Sequence, residues 1–186
     1  IQTILAACNA YDIVDFHSLG DYTEIPPTTA WIRDELTALG CEQKPIWIGD
    51  SFSMSPLVGF DGRPFHPATA ANREKVTTVL QAMADPKNPD YAANLTWLRA
   101  EMARGLVKKA VVAASEGILG INLGNMEDWK TRIPAADAAA VPAIGTSMFM
   151  GMMDTRLTSK APGPRLPNYS KAGEARPAFY AIKLVN

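Results

Sequence analysis

His17 and Asp50 are the two side chains whose type and setting most suggest reaction chemistry. Each follows a short run of apolar and β-branched residues. Tyr11-Asp12-Ile13-Val14-Asp15-Phe16 precedes His17, and Pro45-Ile46-Trp47-Ile48-Gly49 precedes Asp50. An imidazole changes charge near neutral pH, and a carboxylate can act as nucleophile, base or hydrogen-bond acceptor. A carboxylate that follows a wholly apolar run is costly unless solvated or paired, which favours an open site. Each residue also has a plainer reading. His17 could cap a loop, and Asp50 could be a turn former ahead of Ser51.

The segment after Asp50 extends the candidate site. Residues 51–68 are rich in Gly, Pro, Ser and Phe and have no periodicity, and a loop of that length is usually functional or disordered. Phe52, Phe60 and Phe65 offer faces on which a ligand ring can stack, or they pack the loop itself, and His66 shares the loop. Asn125 and Asp128 follow a third apolar run and could contact ligand or close a turn. Trp47 lies within its apolar run and is assigned to the core. Met148, Met150, Met152 and Met153 read as packing residues. His17 and His66 lack a tight ligand spacing, so no metal or other cofactor is expected. There is no P-loop, no Gly-x-Gly-x-x-Gly, no Gly-x-Ser-x-Gly elbow and no Cys-x-x-Cys.

Regular elements must carry these residues. Residues 11–16 predict a short strand that runs into a loop at His17. Pro26-Pro27-Thr28-Thr29 predicts a helix start, with Thr28 or Thr29 as N-cap. Trp31, Ile32, Leu36 and Leu39 follow as an apolar stripe, and Gly40 stands where a C′ glycine belongs. Residues 45–48 predict a strand buried on both faces, which completes a βαβ unit. Helices are predicted over 70–83 and 91–114, a strand over 118–123, and a closing helix over 175–185. Residues 135–143 are an alanine-rich surface excursion, 145–153 a Met- and Gly-rich helix or loop, and 156–167 a Pro/Gly-rich connector. The order implies a parallel α/β fold, in which sites form at the carboxyl ends of strands.

Composition bounds the rest. The chain has 186 residues, 47% hydrophobic and 20% charged, with a net charge of −1, as expected for one globular domain, 1–186, with a substantial core. Without a basic stripe there is no electrostatic footprint for nucleic acid, and no apolar run is long enough for a membrane span. Cys8 and Cys41 are expected to be buried free thiols rather than a disulfide. Asn94-Leu95-Thr96 and Asn168-Tyr169-Ser170 fit the N-glycosylation pattern, which matters only on a eukaryotic secretory route. The opening Ile1-Gln2-Thr3-Ile4-Leu5 is not a signal peptide and reads as a point inside a larger protein.

Four segments, in order, resemble the large clan of (β/α)8 retaining glycoside hydrolases (cellulase- and xylosidase-like enzymes). Tyr11 to His17 is similar to the clan's sixth strand. Lys44-Pro45-Ile46-Trp47-Ile48-Gly49-Asp50 resembles the seventh, which usually reads Lys-Pro-Ile-Trp-Ile-Thr-Glu. Ala103-Arg104-Gly105-Leu106-Val107-Lys108-Lys109 through Glu116-Gly117-Ile118 resembles the helix and turn before the eighth. Arg176-Pro177-Ala178-Phe179-Tyr180-Ala181-Ile182-Lys183 is similar to the opening of the final helix.

The resemblance implies a fold class: the C-terminal part, about strands six to eight, of a (β/α)8 TIM barrel. It also implies a carbohydrate ligand, a secreted or cell-surface setting, and a partner in the N-terminal part of the barrel. Asp50 would occupy the nucleophile position with His17 beside it, and Phe52, Phe60, Phe65, His66, Asn125 and Asp128 would line the cleft. Asp50 departs from the clan's glutamate by one methylene. Retention needs carboxyl groups roughly 5–5.5 Å apart, so the shorter side chain bears on catalysis. The clan's acid/base residue lies at strand four, outside the matched segments. A non-catalytic glycan-binding or structural barrel is the alternative.

Overall fold

A computed structural model of the chain describes residues 2–51, 82, 87–123, 152 and 174–185. The described elements are α1 (Gln2–Leu5), β1 (Val14–Ser18), α2 (Ile25–Ala38), β2 (Ile46–Ser51), α3 (Tyr91–Ser115), β3 (Gly120–Leu123) and α4 (Pro177–Val185), with short 3-10 turns at Cys8–Ala10 and Tyr22–Glu24. The strands form one parallel sheet in the order β1-β2-β3. Helices link them because parallel neighbours cannot be joined by a tight hairpin.

Side chains alternate across the sheet. Val14, Ile46 and Ile48 are buried against the helices, whereas Asp15, His17 and Trp47 lie on the open face. One core cluster joins Leu5, Val14, Ile32, Leu36 and Ile46, with Phe16 packed against it. A second joins Ile25, Ile48, Ala113 and Ile118. Burying such aliphatic side chains contributes about 1.5–3 kcal/mol each. The helix α4 begins at Pro177, where a missing N–H is harmless, and sets Ala178 against Leu106 of α3 and Met152.

Both long helices end in a Schellman turn. Gly40 and Gly117 take left-handed backbones, with φ of 69° and 62°. The Cys41 N–H donates to Leu36 O at 2.8 Å and Gly40 N–H to Thr37 O at 3.1 Å. Likewise Ile118 N–H donates to Ala113 O and Gly117 N–H to Ala114 O, each at 3.0 Å. Each turn also brings the next apolar residue onto the helix it leaves, Cys41 beside Leu36 and Ile118 beside Ala113.

The structure corrects several sequence expectations. Cys8 and Cys41 are bonded to one another, each buried, because the 3-10 turn ahead of β1 packs against the end of α2. Trp47 is 37% exposed on the open sheet face rather than in the core. Trp31 and Leu39 are part-exposed, so only Ile32 and Leu36 of the proposed stripe are buried. The helix α2 begins at Ile25, before Thr28 and Thr29, and Thr29 is buried inside it. Pro26 and Pro27 in the first turn have no N–H to cap, which removes the need for a hydroxyl there. The first strand reaches Ser18, so His17 lies within it, and the third begins at Gly120 rather than at residue 118. The helix expected over 70–83 and the segments 135–143 and 156–167 lie outside the described residues, apart from residue 82 in the first. Of 145–153 only Met152 is described, and it is buried.

Candidate functional site

The carboxyl ends of β1 and β2 carry polar residues because both strands continue past their apolar runs. In the parallel register Phe16 lies opposite Ile48, but His17 lies opposite Asp50 and Ser18 opposite Ser51. Gly49 is the extra residue, and the β2–β3 pairing shifts in the same interval, between Ile48 and Ser51. A bulge of this kind re-aims the side chains beyond it. It places Asp50 across from His17 on the open face, and Ser51 across from Ser18 on the helix side, both serines fully buried.

Gly49 lies close against the Asp15 side chain. Its N–H donates to Asp15 Oδ1 at 2.6 Å, and a Cβ there would collide with the Asp15 carboxylate. On its other side Asn122 Nδ2 donates to Gly49 O at 3.2 Å. Gly120 is similar, since a Cβ would strike the Trp47 ring. The open face is therefore built of Asp15, His17, Trp47, Asp50 and Asn122 around two glycines. A cleft of about 610 Å³ also runs along β1, lined by Tyr11, Ile13, Asp15, His17 and Trp31 among others. Aromatic surface beside a few convergent polar groups is the usual make-up of a small-ligand pocket.

Behind the strand ends is a buried polar cluster that sequence reading missed. Lys109 of α3 is 3% exposed, and its Nζ donates to Ser18 O at 2.8 Å and to Ser51 Oγ at 3.0 Å. Ser18 Oγ donates to Glu24 Oε1 at 2.8 Å, and the Gly20 N–H donates to the same oxygen at 2.9 Å. Asp21 accepts from Thr23 N–H at 2.9 Å and from Thr23 Oγ1 at 3.0 Å. Burial pulls the pKa of Lys109 down to about 8, against the opposing pull of the Glu24, Asp21 and Asp50 carboxylates. In the sequence Lys109 is one of two adjacent lysines that interrupt an apolar helix. Its neighbour Lys108 turns outward to lie over the Tyr22 ring, 5.1 Å from its centroid. Only helical phase separates the two, and Lys109 lies three residues after Leu106 and four before Ala113, both buried.

Of the site residues expected from sequence, the structure brings His17 and Asp50 together. Phe52, Phe60, Phe65, His66, Asn125 and Asp128 lie outside the described residues. Among the described residues no cluster of three or more His, Cys, Asp or Glu could hold a metal ion, and no helix is long and apolar enough to cross a membrane. Compared with known proteins, the chain matches no family model, no curated protein and no solved structure.

Proposed function

We propose that this chain is the C-terminal portion of a (β/α)8 barrel of the glycoside-hydrolase kind, acting on a glycan at the carboxyl ends of its strands. The observation that carries the reading is the pairing of His17 with Asp50 at the ends of two adjacent parallel strands, on one open face. Parallel-strand folds put their chemistry at that edge. Asp50 is the carboxylate of the site and His17 its neighbour, with Asp15, Trp47 and Asn122 completing a face suited to hydroxyls and a sugar ring. The remaining strands of such a barrel would come from chain outside Ile1–Asn186. The Cys8–Cys41 bond accords with a secreted or cell-surface setting.

A second reading is a barrel that binds glycan without cleaving it. Asp50 is one methylene shorter than the glutamate expected at a retaining nucleophile, which favours it. One experiment separates the two. The intact protein and its Asp50→Asn variant are assayed on a panel of aryl glycosides and oligosaccharides, with binding measured in parallel by calorimetry. Turnover that falls at least 100-fold in the variant supports hydrolysis. Binding without turnover supports the second reading, and neither binding nor turnover sinks both.

A further inference from the structure

We propose that Lys109 is a positioning residue, tying together the ends of β1 and β2 so that His17 and Asp50 are held opposite one another. This rests on the reading of His17 and Asp50 as the functional pair. The two hydrogen bonds from its Nζ go to the residues that immediately follow that pair. Ser18 O comes next after His17 and Ser51 Oγ next after Asp50. These two contacts are at the Ser18–Ser51 pair, just beyond the point where β2 carries its extra residue and the register shifts. A side chain from the helix layer therefore adds a cross-link to the ladder where it resumes after the bulge. The ammonium is well suited, because it has three donors and no acceptor. Its surroundings are acidic. Glu24, itself fixed by Ser18 Oγ and Gly20 N–H, and Asp21 add their charge from the turn after β1, and Asp50 adds its charge from β2 through the sheet. His17 lies on β1 beyond Ser18, and Lys108 on its own helix points away to Tyr22. A lysine placed here only to balance charge would need no contact with both strand ends.

The test uses the intact protein with Lys109→Met and Lys109→Arg, its histidines isotope-labelled for NMR, and His17→Gln to assign the His17 ring signal. In Lys109→Met the His17 signal and its titration midpoint move, and Lys109→Arg, which keeps a cation with several donors, restores most of the change. A lowered Tm with the His17 titration unchanged would overturn the proposal. If Lys109→Met does not fold, the wild-type protein decides. Its His17 signal should show a second inflection above the imidazole's own and below about pH 10.5, as Lys109, its pKa lowered by burial, loses its proton, and a trace without one anywhere in that range overturns the proposal. Where the wild type turns over a glycoside, kcat of Lys109→Met falls at least tenfold with KM changed less than twofold, and unchanged kcat also overturns it. Where the wild type turns over nothing, the hydrolase reading fails, and the NMR result still decides whether Lys109 positions the pair.

Discussion

His17 and Asp50 face each other across β1 and β2 because β2 carries one residue more than its neighbours between Ile48 and Ser51. Without that bulge His17 would lie opposite Gly49, and Asp50 would turn toward the helices. A one-residue slip reverses the facing of every side chain beyond it. The proposed chemistry therefore depends on a local irregularity in the sheet, stabilised by Asp15 on one side and Asn122 on the other.

Gly49→Ala should disturb this relationship most directly. The added methyl collides with the Asp15 carboxylate, an overpacking expected to destabilise by about 1–3 kcal/mol. Thermal unfolding would show it as a lower Tm. The double variant Gly49→Ala with Asp15→Ala should recover part of the loss, and no recovery would mean that Asp15 is not what meets the methyl.

Stability should vary with pH through Lys109. Its pKa in the folded protein is about 8, against 10.5 unperturbed, so between those values the unfolded chain binds more protons than the folded one. The contribution of this group therefore becomes more favourable as pH rises from about 8 to about 10.5, by on the order of 3 kcal/mol. Below pH 8 the burial penalty is fully present. Urea unfolding at a series of pH values would read the slope, and Lys109→Met should remove it.

Reduction of the Cys8–Cys41 bond, which joins residues 33 apart in sequence, should lower stability by about 2–4 kcal/mol. Unfolding with and without a thiol reductant measures this. The Cys8→Ala and Cys41→Ala double variant should respond to reductant not at all.

Ile48→Ala should be among the more damaging core changes. Ile48 is fully buried between the sheet and α3, beside Ile25, Ala113 and Ile118. Removing most of its side chain leaves a cavity in a layer fixed on both sides, so a loss of about 2–5 kcal/mol is expected in denaturant unfolding. By contrast Trp47→Phe, on the open face, should change stability little and act on ligand binding instead.

Much of the local structure is legible in the sequence. The apolar runs before His17 and Asp50 specify strands, since β-branched residues there can bury one face. The glycines at 40 and 117 specify where α2 and α3 stop, since only glycine takes the left-handed backbone without strain. The residues Ile48, Leu36 and Leu106 are apolar at the right period and are buried, although Trp31 and Leu39 from the same stripe as Leu36 are exposed, so pattern narrows the core without fixing it. Other features depend on distant partners and are decided only by tertiary structure. Trp47 looks like core until Gly120, 73 positions later, provides the flat surface over which its ring lies. Cys8 and Cys41 look like separate thiols until α2 folds back and brings their Cα atoms to 6.4 Å. Lys109 is indistinguishable in the sequence from its neighbour Lys108 until α3 packs on the sheet and turns its ammonium between Ser18 and Ser51. Periodicity reports which face of an element is apolar, but the role of a polar side chain depends on what the other elements place against it.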